Sequence, residues 1–191
     1  MTTPRTSEQV GPEIVLPTKW GELRIVSRNN CLLIFRRPWE DIPFLRLHSA
    51  CMFAESLGSL DCDCGLQLDC SLKYIAKFGG AIVYLAQEGR GIGLSGKIAA
   101  IALQQGEGID TATSYLRLGH APDPRNYEHV VSLLKSVDFP SQLKLATNNP
   151  SKIQAVSDMG YVVDRFKLEF EVSPAVLSYL DEKRAHLGHY D

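Results

Sequence analysis

The chain has 191 residues, 45% of them apolar, and a formal net charge of −2. A chain of that length and composition buries a globular core without disulfide staples, and no apolar run nears the ~20 residues of a membrane-spanning helix. With 20 basic against 22 acidic residues there is no broad basic field. Neither nucleic acid nor membrane is expected as a partner, and a phosphate ligand has to be met by local cations.

Residues 1–12 open with Met1-Thr-Thr-Pro-Arg-Thr-Ser-Glu-Gln9, which has no apolar region of the kind a signal peptide needs, and are expected to form a flexible polar tail. Five cysteines, an odd number, argue against a disulfide framework and for a reducing, cytoplasmic setting. Two apolar stretches between Val15 and Val26 flank a Trp20-Gly21 turn signal. Cys31–Phe35 and Phe44–His48 read as strands with Pro38 and Pro43 between them, so the front third is expected to be antiparallel. The period then changes: Leu68, Leu72, Ile75 and Ala76 recur at helical spacing and Gly79-Gly80 ends that helix. Ala81–Ala86 is a nearly continuous apolar run, the pattern of a buried strand. A helix is predicted over Leu94–Gln105 and a helical pattern over Tyr127–Val137. Leu143–Thr147 reads as a strand, Ser151–Met159 as a helix with Pro150 near its start, and Tyr161–Val163 as a further strand. These elements predict a single mixed α/β domain over 13–170: antiparallel N-terminal strands lead into a mixed sheet flanked by helices, and 171–191 form a peripheral helical tail.

Three of the cysteines cluster as C-x10-C-x-C: Cys51, Cys62 and Cys64. Three thiolates bind Zn²⁺ and leave one tetrahedral position for water, whose pKa zinc lowers from ~15.7 to ~7. Cys70 and His48 are nearby candidates for a fourth ligand, so open and closed sites both fit the spacing. After the apolar run comes Gln87-Glu-Gly-Arg-Gly-Ile-Gly93, whose glycines let backbone N–H groups approach a phosphate, although a tight turn would use them equally. It lacks the Gly-Lys-Ser/Thr of a Walker A loop. Glu88 is suited to accept two hydrogen bonds from the N1–N2 edge of guanine, or to be a solvated turn residue. Asp123-Pro-Arg125 sits in a proline-stiffened loop and reads as a phosphate contact or as a surface ion pair. Thr147-Asn-Asn-Pro-Ser-Lys152 joins a strand to a helix and makes a plausible anion site. The His-x-Glu and Pro-Cys-x-x-Cys segments of zinc deaminases are absent.

Taken in order, Arg46–Cys51, Asp61–Gln67, Gln87–Leu94, Asp110-Thr111, Leu118-Gly119, Asp123–Arg125 and Thr147–Pro150 resemble GTP cyclohydrolase II over roughly residues 15–165. The resemblance is to the stand-alone form, without the dihydroxybutanone phosphate synthase domain that some relatives carry. It implies opening of the imidazole ring of GTP at C8, release of formate and pyrophosphate, and a product that feeds riboflavin synthesis. It further implies Cys51, Cys62 and Cys64 as zinc ligands, a zinc-bound water that attacks C8, Mg²⁺ on the triphosphate, and a homodimer. Arg46, His48, Ser49, Gln67 and Glu88 match GTP-contacting positions, as do Gly89, Arg90, Thr111, Thr147 and Lys152. Asp123 matches a proton acceptor. Arg125 matches a nucleophile toward the α-phosphate, a role in which a guanidinium is better suited to stabilise phosphoryl charge.

Two positions depart from the family pattern. Ala50 stands where the family usually has Glu, and Ile101 where it usually has Tyr. A phenol orients water or donates a proton and Ile does neither, a loss that can cost ~2–4 kcal/mol of barrier. The expected product is therefore either the diaminopyrimidine with free formate or the 5-formylamino intermediate. A related zinc hydrolase for another purine nucleotide and a non-catalytic nucleotide-binding relative are the alternatives.

Overall fold

A computed structural model describes residues 10–170 and, beyond them, Leu177, Leu180, Asp181, Arg184, Ala185 and 188–190. Most of the expected tails, 1–12 and 171–191, therefore lie outside the described residues. Of the first tail, Val10 packs against the core and Gly11 N donates to Ser27 O at 2.6 Å. In the second, Leu177, Leu180, Asp181, Arg184 and Ala185 are helical. Among the described residues no helix is long and apolar enough to cross a membrane.

The chain divides into two compact units. Its first unit draws on the described residues up to His48, on Leu66–Leu85 and on Tyr127–Phe170, and is built on a seven-stranded sheet. Its strands are β1 (Ile14–Thr18), β2 (Gly21–Arg28), β3 (Cys31–Arg36), β4 (Phe44–Ser49), β5 (Gly80–Leu85), β6 (Gln142–Ala146) and β7 (Val162–Phe166), in the order β1-β2-β3-β5-β4-β6-β7. β1, β2, β3 and β5 pair antiparallel in succession, and β4, β6 and β7 run parallel. The mixed α/β class expected from the sequence is thus what forms. The expected antiparallel front third ends at β3. β4 instead lies between β5 and β6 and pairs parallel with β6, Leu45 opposite Leu145. Its residues 44–48 are all buried, the pattern of a central strand covered on both faces rather than of a half-solvated antiparallel one.

Alternation along these strands sorts the core into two layers. Leu33, Phe35, Leu45, Leu47, Val83 and Leu145 project to one face, where Val130, Leu133 and Leu134 of α5 (Val130–Lys135) and Val156 of α6 (Pro150–Asp158) cover them. Ile34, Phe44 and Ile82 project to the other, against Leu72 and Ile75 of α2 (Cys64–Phe78). Gly79 then reverses the chain into β5: its φ is +79°, and a Cβ there would lie 2.1 Å from Pro38 O. α5 is shorter than the periodicity over 127–137 suggests, because residues 124–127 are irregular and enter the helix only through a turn.

The second unit draws on Ser49–Gly65, Ala86–Asn126 and described residues of the C-terminal segment. It contains α1 (Met52–Ser56), a 3-10 turn over Glu88–Gly91, α3 (Gly93–Glu107) and α4 (Thr111–Arg117). α3 runs two residues past the expected Gln105 and is capped by Gly108 in the left-handed conformation. α1 and α4 have no sequence-based forerunner, being too short to show a period. α4 nevertheless carries a recognisable start: Asp110 is its N-cap and accepts from Thr113 N at 2.9 Å.

Candidate functional site

The thiols of Cys51, Cys62 and Cys64 converge, with all three Sγ atoms within 4.8 Å of one another and those of Cys51 and Cys62 3.7 Å apart. Cys51 is the N-cap of α1 and Cys64 the first residue of α2, so helix starts deliver two of the thiols, and Cys62 lies two residues before α2. Tetrahedral ligation at ~2.3 Å places sulfurs about 3.8 Å apart, so the group fits a zinc-sized ion. Hydrogen bonds from Cys62 and then Cys64, aided by Lys97, hold the Cys51 thiol far below the ordinary range. The same pairing pushes the Cys62 thiol up. Among the described residues these three form the group able to hold a metal, and neither candidate for a fourth ligand belongs to it. His48 instead accepts from Arg46 Nε at 3.3 Å on Nδ1 and stacks on Tyr84. Cys70 lies further along α2.

Lys97 of α3 stands against this group, its Nζ 3.2 Å from Cys51 Sγ and 2.7 Å from Glu88 Oε1. Its ammonium also lies 4.5 Å from the centre of the Phe53 ring. Burial alone would lower the Lys97 pKa, but its bonds to Glu88 and Cys51 raise it, so the side chain is a cation. The other Glu88 oxygen accepts from Met52 N at 2.7 Å, and Glu55 Oε1 accepts from Cys51 N at 2.8 Å, so carboxylates satisfy the first amides of α1.

The Gly-rich segment folds as the 3-10 turn, with Gly89 and Arg90 both at positive φ, 58° and 56°. Such a conformation is uncommon for arginine and is fixed here by neighbours. Tyr115 OH donates to Gly89 O at 2.9 Å, and the Arg90 guanidinium lies over the Tyr115 ring and donates to Pro122 O at 2.9 Å. Gln87 bonds both backbone groups of Asn126 and so holds the 123–126 loop. In that loop Arg125 clasps Asp123 through two parallel bonds, Nε to Oδ1 at 2.6 Å and Nη2 to Oδ2. Burial pushes the Asp123 carboxyl up. The bonds and charge of Arg125, with Arg90 behind them, outweigh it and keep the carboxyl below its usual range. On α4, Thr111 Oγ1 donates to Gln104 Oε1 at 3.4 Å. Ser49 Oγ is buried with no hydrogen-bond partner among the described residues.

In the first unit a set of buried polar groups gathers at the carboxyl ends of the parallel strands β4 and β6. In open α/β sheets that end is where ligands bind. Arg46 donates to Ala146 O at 3.0 Å and to Gln67 Oε1, and Lys152 Nζ donates to Leu47 O at 2.7 Å. Thr147 Oγ1 accepts from Asn149 N at 3.0 Å, and Asn149 in turn caps α6. Arg46, His48, Thr147 and Lys152 are all buried. Arg46 and Lys152 thus place two buried cations at this end of the sheet.

The structure thus joins the three thiols, links Glu88 to Cys51 through Lys97, pairs Asp123 with Arg125, and ties Arg46 to both His48 and Gln67. Sequence reasoning missed Lys97, Gln87, Gln104 and Tyr115. Gln87 opens the Gly-rich motif without an assigned role of its own, Lys97 lies on the helix that follows that motif, and Gln104 and Tyr115 belong to no motif.

Fold and site define a mixed α/β protein with a three-cysteine group that could hold a metal ion. The family model for GTP cyclohydrolase II matches residues 8–167. The chain is 41% identical over 184 residues to riboflavin biosynthesis protein RibBA of Thermotoga maritima, covering 93% of this chain and 47% of that protein. It is 40% identical over 184 residues to GTP cyclohydrolase-2 of Aeromonas hydrophila, covering 91% of this chain and 92% of that protein. To GTP cyclohydrolase-2 of Histophilus somni it is 38% identical over 192 residues, covering 95% and 88%. The chain therefore spans about half the length of RibBA, the first of these relatives. It belongs to the GTP cyclohydrolase II family, a family of hydrolases.

Proposed function

We propose that this protein opens the imidazole ring of GTP by hydrolysis at C8 and releases pyrophosphate, with Mg²⁺ on the triphosphate, as a cytoplasmic homodimer serving riboflavin synthesis. The observation that carries this reading is the convergence of the Cys51, Cys62 and Cys64 sulfurs at ligating distance. A Zn²⁺ ion held by those sulfurs would supply a water of pKa about 7.

The remaining roles belong to side chains. Glu88 is assigned the N1–N2 edge of guanine: its oxygens are held by Lys97 and Met52 N, and each keeps a lone pair for a further donor. Gly89 and Arg90 are assigned substrate contacts on the Gly-rich turn, and Ser49 and Thr111 hydroxyl contacts. In the sheet-based unit, Arg46, His48, Gln67, Thr147 and Lys152 are assigned GTP contacts, the two cations and the Thr147 hydroxyl suiting phosphate oxygens. Asp123 is assigned the proton acceptor. In the free protein Arg125 keeps it a weak base, and a phosphate that draws Arg125 away restores its basicity. Arg125 then stabilises phosphoryl charge.

Ile101 favours a second reading of the product. Ring opening adds water across the C8–N9 bond and leaves a formamide on the 5-amino nitrogen, and formate leaves only when a second water cleaves that amide. Ile101, half-buried on α3, offers no proton for that second step. Incubation of the purified protein with GTP and Mg²⁺, with the full product mixture identified by mass, tests both readings. A formylated pyrimidine that Ile101→Tyr converts to the diaminopyrimidine plus stoichiometric formate supports the second reading. A clean diaminopyrimidine from the unmodified protein removes it. Intact GTP, or turnover that survives Cys51→Ser, removes the proposal as a whole.

A further inference from the structure

We propose that Lys97 is a positioning residue for the thiolate group: it fixes the Cys51 sulfur, offsets the charge of a three-thiolate metal site, and ties that sulfur to Glu88. The inference rests on the reading of Cys51, Cys62 and Cys64 as metal ligands.

The contacts close into a ring. Lys97 Nζ reaches Cys51 Sγ at 3.2 Å and Glu88 Oε1 at 2.7 Å, Glu88 Oε2 accepts from Met52 N at 2.7 Å, and Met52 is joined through the backbone to Cys51. Every link in that ring leads back to the ligand sulfur. The ammonium has little freedom to leave it. Its side chain is 16% exposed, Phe53 lies beneath it, and Gly89 leaves room for its Cβ, since a Cβ at Gly89 would sit only 2.9 Å from that of Lys97. Three thiolates around a divalent cation carry one net negative charge, which a half-buried site disfavours and an adjacent ammonium offsets. An N–H···S bond also draws density from the sulfur. Side chains that hold a ligand in this way commonly set metal affinity by 10–100-fold. An ordinary surface ion pair with Glu88 would leave the sulfur unaffected, and that difference can be measured.

The test uses the full chain, stripped of metal and titrated with zinc against a chromophoric chelator, and in parallel loaded with Co²⁺ to read the sulfur-to-cobalt charge-transfer band. Lys97→Met, which keeps the stem and removes the charge, is expected to weaken zinc binding by about 10–100-fold and move the band to lower energy. Lys97→Arg is expected to recover most of the affinity. Glu88→Gln leaves the ammonium in place without its competing anion and is expected to move the band the opposite way, a reading that does not depend on the folding of the Lys97 variants. Zinc affinity unchanged in Lys97→Met, or a band unmoved by Glu88→Gln, overturns the proposal. Neither measurement involves GTP. Turnover by the unmodified protein with unchanged zinc affinity in Lys97→Met would sink the role of Lys97 alone. A changed affinity without turnover would sink the substrate assignment alone.

Discussion

Asp123 and Arg125 illustrate how far a residue type can be read and where its state cannot. The sequence offered either a solvated ion pair or a phosphate contact. The folded chain makes a partly buried, two-point clasp, with Arg125 11% and Asp123 22% exposed. A carboxyl whose folded pKa lies below its unfolded value of about 3.9 stabilises the fold at pH values above that range, and the stabilisation fades as pH falls through the folded value. Urea denaturation of the parent and of Asp123→Asn, followed from pH 7 to pH 2, is expected to show a stability gap that stays constant above about pH 5 and closes below about pH 4. A gap that does not narrow at all down to pH 2 would mean that Asp123 contributes through packing or a neutral hydrogen bond instead. Histidine at 48 is a different lesson. It was open as a metal ligand on spacing, yet it lies outside the thiol group, with Nδ1 taken by Arg46 and its face by Tyr84.

At the scale of elements, legibility followed burial. The strands Cys31–Arg36 and Gly80–Leu85 carry near-continuous apolar runs, Phe44–Ser49 interleaves apolar with polar residues, and each appears within a residue or two of its expected bounds. The pairing of β4 was not legible, because the residues of a strand do not state which strand lies beside it. α1 and α4, of five and seven residues, are too short for a period, and their starts are set by carboxylates that reach from Glu88, Glu55 and Asp110. The Gly-rich turn was legible as a turn, but its reason was not. Gly89 is required by its φ of +58° and by the Lys97 Cβ lying where its own would be. Gly89→Ala is expected to cost about 1–2 kcal/mol in stability and to weaken zinc binding by displacing Lys97. Gly106, inside α3 with open space around it, gives the opposite sign: Gly106→Ala is expected to stabilise by up to about 1 kcal/mol. Denaturant midpoints of the two variants check the pair, and equal shifts would show that the left-handed turn carries no such demand.

The two units differ in what holds them together, and this has a consequence for the whole molecule. Nearly all of the buried apolar side chains lie in the sheet-based unit, in the two layers that cover its faces. Among the described residues of the other unit the buried hydrophobic set is Cys51, Ala100 and Tyr115. That unit is instead joined by polar links: Lys97 to Glu88, Arg125 to Asp123, Gln87 to Asn126, and the thiol group itself. Because a ligand stabilises the state that binds it, a metal held by Cys51, Cys62 and Cys64 contributes its binding energy to the unit least able to supply stability from burial. Local opening is drawn from regions with few buried apolar contacts. Removal of the metal with a chelator is therefore expected to collapse hydrogen-exchange protection in peptides covering 49–65 and 86–126, while β3, β5 and β6 keep theirs. Re-addition of zinc should restore it. Uniform loss across both units would mean that they unfold as one, and no loss at all would mean that the polar links hold the second unit without a metal.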